Sequence, residues 1–196
     1  QDEVHGNLFH QVKQTLDVLT AKYLRALISY EGIQRVESLP MPREALREAL
    51  LNSVVHKSYE SNSPIQIAVF DDKLEIYNSA VLPEDWTIED LLRSHRSRPY
   101  NPDVANIFFR AGEIESWGRG IQRIIEACQA EDCPAPTFEY RAGGIWTTFH
   151  FGEEYIRGVG LHPDSNVVEN VVENVVENVV KRPDKIIDIL KYDSTL

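Results

Sequence analysis

The chain lacks the features that define several large classes of proteins. It has two cysteines, Cys128 and Cys133, with no second pair and no nearby histidine, which excludes a disulfide scaffold and a zinc site. No apolar run approaches the roughly 18 residues that span a membrane, and no secretion leader is recognisable. We therefore expect a cytoplasmic protein that makes no membrane contact.

Basic residues are also scarce, with 20 lysines and arginines against 31 acidic residues and a formal net charge of -11. Such a surface repels the phosphate backbone of nucleic acids, so non-specific binding to DNA by this chain alone is not expected. Any contact with DNA is expected through domains outside this chain. The apolar content of 42% suffices for a core of normal size, in one medium domain with an appendage or in two small domains.

The most informative segment that is present is a predicted helix from Pro42 to about Tyr59, because polar side chains interrupt its apolar face. At about 100° per residue, Glu48, Asn52 and His56 fall within one arc of about 80°. Burying an unpaired carboxylate or carboxamide is costly. These side chains must therefore pair inside the protein or face a ligand.

Both interpretations of the acid and amide stay open. Glu48 and Asn52 could form a catalytic or ligand-binding site, or they could cap or pair with a neighbouring arginine such as Arg35 or Arg98. His56 is interpreted as a hydrogen-bonded structural residue, because nothing near it resembles a nucleophile that it could activate.

The remaining pattern mixes helices with antiparallel hairpins around one core. An apolar spacing typical of a helix runs from Leu8 to Tyr30. Two pairs of strand-like segments, each joined by a short turn, predict two hairpins. In chain order we predict strands at 65–70 and 73–77, a loop at 78–83, a short helix capped by Thr87, a buried helix at 104–109, a helix at 122–128, and strands at 137–141 and 145–151.

Two segments could face an anion. Residues 93–102 concentrate three arginines in an acidic protein, and two prolines keep the segment out of regular structure. An anion clamp and a solvated loop are both consistent with this composition. Gly118 and Gly120 precede a predicted helix, where backbone N–H groups could approach a phosphate at the positive end of the helix dipole. A tight turn that lets Trp117 pack is the alternative.

The order of these parts resembles the histidine-kinase-like (Bergerat, GHKL) ATPase fold. Glu48-x-x-x-Asn52 on a helix is followed by a strand ending at Asn78, a basic loop, and Trp-Gly-Arg-Gly-Ile at 117–121. The similarity spans residues from about 35 to 151 and is greatest to the RecG-like C-terminal domain of bacterial transcriptional regulators. It implies an α+β fold of the Bergerat type, an α/β sandwich whose mixed, largely antiparallel sheet is covered by helices. It does not imply a helicase motor, because no Gly-x-x-x-x-Gly-Lys-Ser/Thr phosphate loop occurs in the chain.

The resemblance also implies a role for each candidate residue. Glu48 matches the glutamate that polarises the attacking water, and Asn52 matches the asparagine that binds Mg²⁺ on the phosphates of ATP. A general base one helical turn from a hard oxygen ligand suits metal-assisted phosphoanhydride hydrolysis. Gly118 and Gly120 match the glycines on the phosphate side.

The adenine side departs from the family pattern. ATP-binding members have an aspartate followed by glycines, whereas here Asn78 is followed by Ser-Ala-Val at 79–81. Asn78 can still accept and donate hydrogen bonds, but β-carbons at 79–81 would crowd an approach that glycine permits. Arg98 or Arg96 lies where a lid would close over the phosphates.

The C-terminal part has a different character. The repeat Asn-Val-Val-Glu runs from Asn166 to Val180 and predicts a linker or an oligomerisation helix. An amphipathic helix from Asp184 to Lys191 looks like the start of the winged helix-turn-helix that follows in the resembled family. The predicted organisation is an N-terminal helical connector (1–34), the ATPase domain (35–152), a linker or oligomerisation helix with the repeat (153–183), and the truncated start of the winged module (184–196).

Two functions from different classes follow from these features. The first is a nucleotide-binding regulatory module of a bacterial transcriptional regulator, which binds ATP with Mg²⁺ and hydrolyses it slowly. The second is a degenerate module that binds no nucleotide and serves as a dimerising scaffold. A homo-oligomer is the expected assembly.

Overall fold

A computed structural model describes residues 2–93, 98–114, 118–160 and 185–189 of the chain. The helices are α1 (Leu8–Val18), continued by a π-helical turn (Leu19–Tyr23), α2 (Arg43–His56), α3 (Ile88–Leu92), α4 (Pro102–Arg110), α5 (Gly120–Ala130) and α6 (Glu153–Gly158). The strands are β1 (Asp2–Val4), β2 (Leu27–Glu31), β3 (Gln34–Ser38), β4 (Ile65–Val69), β5 (Lys73–Ser79), β6 (Thr137–Arg141), β7 (Gly144–His150) and β8 (Lys185–Ile189).

The main sheet is mixed and largely antiparallel. Its six strands follow the order β1-β8-β4-β5-β7-β6, and β2 pairs with β3 in a separate hairpin. The β1–β8 pair is parallel, and the other neighbouring strands are antiparallel. The predicted α+β architecture, a largely antiparallel sheet covered by helices, is confirmed.

The core lies between the sheet and the helices, because the central strands alternate buried and more exposed residues. Ile65, Ile67 and Val69 of β4 and Leu74 and Ile76 of β5 point into it. On the helical side, α2 packs against α5 and α1. The apolar residues of α2 that join this core are Ala45, Leu46, Ala49, Leu50, Leu51 and Val54.

The N-terminal helix belongs to the same core as the sheet. Val12, Leu16 and Leu19 are buried in the cluster that contains the α2 and β4 residues. Arg43 at the start of α2 donates hydrogen bonds to Asp17 and to Thr20. Residues 8–23 therefore pack against α2 as a structural layer.

The helix predicted from Leu8 to Tyr30 is wrong in its last third. The helical turns end at Tyr23, Leu24 is extended, and Leu27–Glu31 forms β2. The apolar spacing in this region fits a helix and a strand equally well. The turn decides between them, because Gly32 with φ of 64° permits a tight hairpin into β3.

The helix predicted from Asp184 to Lys191 is also wrong, because Lys185–Ile189 is a strand. This strand, β8, lies between β1 and β4 in the main sheet. A short apolar run rich in β-branched isoleucine suits a strand, and periodicity alone does not separate it from a helix. The repeat at 166–180 lies outside the described residues.

Smaller differences concern burial and boundaries. The strand β5 continues to Ser79, so Asn78 lies inside the sheet and not at the start of a loop. Helix α4 is only partly buried, since Ile107 and Phe109 are exposed. The two predicted hairpins β4–β5 and β6–β7, the helices α2 and α5, and the cap of α3 by Thr87 are confirmed.

Candidate functional site

A cleft of about 250 Å³ opens between α2, the end of β5 and the start of α5. Its lining includes six candidate site residues that the sequence suggested, namely Glu48, Asn52, Asn78, Arg98, Gly118 and Gly120. The structure therefore brings together residues that are up to 72 positions apart in the chain. Arg96 and Trp117 lie outside the described residues.

One side of the cleft, the helical wall, consists of Glu48, Asn52, Gly118 and Gly120. Glu48 and Asn52 are one turn apart on α2, and both reach the first residue of α5. A β-carbon added to Gly120 would lie 2.7 Å from Glu48 Oε1 and 2.6 Å from Asn52 Nδ2. Contacts below 3 Å essentially never occur for a real β-carbon. The acid and the amide thus both reach Gly120, and a β-carbon there would force the ends of these side chains to move.

The backbone before α5 is held in place by α2. Arg47, next to Glu48, donates a hydrogen bond of 3.0 Å to the carbonyl oxygen of Glu113 and pairs with the Glu113 carboxylate. Gly118 has φ of 85°, a conformation that residues with a β-carbon rarely adopt. The first N–H groups of the 11-residue helix α5 have no partners inside the helix. They can bind an anion next to Asn52.

The opposite side, the strand wall, consists of Asn78, Ala80, Val81 and Thr147. Asn78 is 4% exposed, and its Oδ1 atom is buried with no hydrogen-bond partner among the described residues. Asn52 Nδ2 on the helical wall is buried and unpaired in the same way. Each such atom costs about 1–3 kcal/mol if it stays without a partner. The cleft therefore contains two buried amide atoms, one on each wall, that make no hydrogen bond to the described residues.

Thr147 is a cleft residue that the sequence analysis did not single out. It lies on β7 opposite Ile76, on the inward face of the sheet, and is 8% exposed. The signal was available, because the alternation of β7 places Ile145, Thr147 and Phe149 on one face. A hydroxyl among apolar inward residues is the exception that marks a polar site.

Arg98 lies at the mouth of the cleft. Its guanidinium is 3.3 Å from the Asp85 carboxylate and 5.9 Å from the centre of the Trp86 ring. Its side chain is more than half exposed, so the ion pair is weak and can be exchanged for another anion. The other arginine considered as a partner for Glu48, Arg35, pairs with Glu37.

The two walls meet where α2 ends. The N–H of Ser58 donates to the carbonyl oxygen of Ser79 at 2.7 Å, which joins the segment after α2 to β5. Asn101 Nδ2 donates to the carbonyl oxygens of Val55 and Lys57 and caps the helix. These bonds fix Asn101 at the end of α2, next to the cleft residues Arg98 and Tyr100. His56 also lines it.

Two ionisable groups at this junction are shielded from solvent, Lys57 fully and Tyr59 in part. Burial lowers the pKa of Lys57, whose Nζ donates to the carbonyl oxygens of Ser58 and Ser61. Burial raises the pKa of Tyr59 to about 12, and its hydroxyl donates to the carbonyl oxygen of Val54 at 3.0 Å. Tyr59 satisfies a carbonyl group in the last turn of α2 and Lys57 satisfies two in the segment after it, so both have a structural role.

The described part of the chain offers no ready-made cluster of metal ligands. Within residues 2–93, 98–114, 118–160 and 185–189, no group of three or more histidine, cysteine, aspartate or glutamate side chains is placed to hold a metal ion. A hard cation in the cleft could use Asn52 Oδ1 and would take its remaining ligands from phosphate and water. In the same residues, no helix has the length and apolar character required to cross a membrane.

Comparison with known proteins supports the fold. Residues 62–149 match the family described as "Putative ATP-dependent DNA helicase recG C-terminal". This range contains Asn78, Arg98, Gly118 and Gly120, and begins after Glu48 and Asn52. No curated protein gives a significant match.

A solved structure is similar as well. The crystal structure of the DIP2311 protein from Corynebacterium diphtheriae superposes with a TM-score of 0.62 and is 25% identical in sequence. The match covers 74% of this chain and 29% of that one, so this chain spans less than a third of the length of DIP2311. The family match over residues 62–149 and the sheet order support a histidine-kinase-like ATPase fold that resembles the RecG-like C-terminal domain.

Proposed function

We propose that the chain is an ATPase-like, nucleotide-binding regulatory module that takes ATP with Mg²⁺ into the cleft and hydrolyses it slowly. One observation carries this proposal. Asn52 Nδ2 and Asn78 Oδ1 are buried, unpaired, and belong to the two walls of the same cleft. Native proteins rarely leave such atoms without a partner. A ligand with polar groups at both ends would supply the missing bonds.

The strand wall fits a nucleobase. Asn78 Oδ1 can accept a hydrogen bond from the exocyclic amine of adenine, and the Thr147 hydroxyl adds a group that can donate or accept. Ala80 and Ile145 offer apolar surface beside them. A flat ring with a polar edge suits this combination of surface and amide.

The helical wall fits phosphates. Asn52 Oδ1 would hold Mg²⁺, which would neutralise charge on the phosphate oxygens. The N–H groups at the start of α5 would bind the same oxygens, and the close contact at Gly120 keeps these donors next to Asn52. Arg98 would leave Asp85 to pair with phosphate at the mouth.

Glu48 would act as the general base. Its Oε1 atom lies beside Gly120 and one helical turn from Asn52. From there the carboxylate would accept a proton from a water molecule that attacks the terminal phosphate. A single general base without a dedicated set of metal ligands is consistent with slow turnover, and a regulatory module needs no more.

The proposed relation to DNA rests on the negative charge of the chain. With a net charge of -11, the chain is a poor ligand for DNA, so DNA would be bound by other domains of a bacterial transcriptional regulator. The module would form a homo-oligomer and couple nucleotide occupancy to that binding.

Isothermal titration with a non-hydrolysable ATP analogue and Mg²⁺ tests the proposal. Asn52→Ala should weaken binding by about tenfold or more, because it removes the metal ligand and one unpaired donor. Glu48→Gln should bind as the wild type does and lose turnover. Unchanged binding by Asn52→Ala would contradict the assignment of the helical wall.

The alternative, a scaffold that binds no nucleotide, is favoured by the segment 79–81. Ala80 is buried against the cleft and Val81 projects beside it, where glycines would leave room. If the correctly folded wild-type protein gives no heat with the ATP analogue at high concentration, the scaffold is the correct function.

A further inference from the structure

The hairpin β2–β3 carries an unusual share of exposed apolar side chains. Tyr30 is 69% exposed, Ile28 is about half exposed, and Ile33 in the turn is fully exposed. Among the described residues, no third strand extends this hairpin. A two-stranded hairpin is marginally stable in water, and a third strand or a packed face is what normally stabilises it.

The base of the hairpin is attached to the rest of the fold. A β-carbon added to Gly158 of α6 would lie 2.4 Å from Leu27 Cδ1, so Leu27 packs directly on α6. Leu27 belongs to the face of the hairpin opposite to Ile28 and Tyr30, because successive side chains alternate. The face with Ile28 and Tyr30 therefore points away from α6.

Backbone geometry determines which groups on β3 are available for pairing. The two-residue turn Gly32-Ile33 joins the paired residues Glu31 and Gln34. Hydrogen-bonded and non-hydrogen-bonded pairs alternate along an antiparallel ladder. Since such a turn closes on a hydrogen-bonded pair, Gln34, Val36 and Ser38 bond to β2. The N–H and C=O groups of Arg35 and Glu37 then point outward from the edge.

The outward edge is complementary to itself. In an antiparallel arrangement about a two-fold axis at Val36, Arg35 lies opposite Glu37 of a second copy, and Glu37 lies opposite its Arg35. The outward backbone groups of these residues then form two hydrogen-bonded pairs. Within one chain Arg35 and Glu37 are 2.5 Å apart and more than half exposed, so both charges are accessible to a second copy. We propose that the edge of β3 pairs in this way with β3 of a second copy.

The charges select this partner and this edge. The same strand in a parallel alignment would place like charges opposite each other, which is destabilising. The edge of β2 carries Ile28 and Tyr30 where β3 carries charges. No pairing of opposite charges would therefore fix the alignment of two β2 strands. Pairing through β3 makes a four-stranded sheet in which the Ile28 and Tyr30 of both copies share one face. The two-fold symmetry closes the assembly at a dimer.

Charge reversal tests the proposal in solution. Sedimentation velocity across a concentration series should show a weak dimer for the wild-type protein, because one strand edge buries much less than a standard interface. Arg35→Glu and Glu37→Arg should each lower the association constant by about tenfold, since each places like charges opposite one another twice. The double variant Arg35→Glu/Glu37→Arg should dimerise like the wild type.

A mixture supplies the sharpest control. Affinity-tagged Arg35→Glu mixed with untagged Glu37→Arg should form heterodimers, because the acidic edge of one copy faces the basic edge of the other. General destabilisation of the hairpin would not be reversed by mixing. The proposal is overturned in favour of the β2 edge if both charge reversals leave the dimer intact and Ile28→Lys abolishes it. It is overturned altogether if the wild-type protein is monomeric. Arg35 and Glu37 do not line the cleft. Nucleotide binding by these variants can therefore be measured independently of dimerisation.

Discussion

The two walls of the cleft differ in how closely the backbone approaches the space between them. At the helical wall, Gly120 leaves no room for even a methyl group beside Glu48 and Asn52. At the strand wall, Ala80 and Val81 present β-carbons where glycines would have opened the surface. On the helical wall the backbone of Gly120 therefore lies directly against the ends of two polar side chains, and on the strand wall side chains cover the backbone.

This difference predicts unequal tolerance to substitution. Any group added at Gly120 must push aside the ends of Glu48 and Asn52, the side chains proposed to act on the ligand, so binding at the helical wall should respond sharply to the smallest added group. The strand wall should respond in proportion to the size and polarity of each side chain. The following predictions test the comparison, beginning with the largest expected effect.

Gly120→Ala should strongly weaken the binding of ATP with Mg²⁺. The added methyl would lie 2.7 Å from Glu48 Oε1 and Asn52 Oδ1, so it must displace α5 or both side chains. We expect a loss of affinity of about 100-fold, which equals about 3 kcal/mol, measured by titration calorimetry. Urea unfolding should show a loss of stability as well.

Gly152→Ala is the matched control for this substitution. Gly152 has φ of -67°, and a β-carbon there would meet Pro134 at an ordinary distance of 3.8 Å. Its affinity for nucleotide should equal that of the wild type. If Gly120→Ala binds as well as Gly152→Ala does, the helical wall is not the contact surface for phosphate.

Asn78→Val should change affinity and stability in opposite directions. The variant loses the amide proposed to bind the base, so affinity should fall by about tenfold. It also removes a buried oxygen that has no partner among the described residues, so the free energy of unfolding without nucleotide should rise by about 1 kcal/mol.

Ile76→Val serves as the control on the same strand. Ile76 is buried beside Asn78 on the inward face of β5 and carries no polar atom. This variant should lose about 1 kcal/mol of stability and keep its affinity. A destabilised Asn78→Val with wild-type affinity would show that Asn78 is a structural residue.

Much of this arrangement could be predicted from local sequence signals. The polar arc of α2 identified Glu48 and Asn52, because helical periodicity fixes which side chains share a face. Prolines, glycines and polar turns marked the ends of α2 and both hairpins of the main sheet. These features depend on residues within a few positions of one another, which is the range that sequence patterns describe.

Other features depend on contacts between distant parts of the chain. The segments that became β2 and β8 are short apolar runs, and only pairing with β3, β1 and β4 determines that they are strands. The close contact of Gly120 with Asn52 joins residues 68 positions apart. The side of the sheet to which Asn78 points depends on how β5 is aligned with β7. No local pattern contains this information.

Val81→Gly should improve binding, in contrast to every substitution on the helical wall. Val81 is exposed at the edge of the cleft, so its removal opens the approach to Asn78 at little cost in stability. We expect affinity for ATP to rise by about threefold. Ala80→Gly removes a buried methyl and should lose about 1 kcal/mol of stability instead. Unchanged affinity in Val81→Gly would show that crowding at 79–81 does not limit access.

The smallest effect concerns Tyr59 at the junction of the two walls. Its pKa is about 12 in the folded protein and 10.0 in an exposed tyrosine. Between these values the unfolded chain binds fewer protons than the folded one, so stability falls as pH rises. The contribution of the buried hydroxyl is fully present below pH 10.

Tyr59→Phe removes this titration and isolates its contribution. The variant should lose less stability than the wild-type protein between pH 10 and pH 12, by less than about 1 kcal/mol after allowance for partial solvent exposure. Lys57 works in the opposite direction, because its pKa is lowered by burial and its neutral form is favoured in the folded state as pH rises. The difference between wild type and Tyr59→Phe, measured by urea unfolding at each pH, cancels that contribution. Parallel curves would show that the Tyr59 hydroxyl is solvated, and the junction would then be looser than either wall.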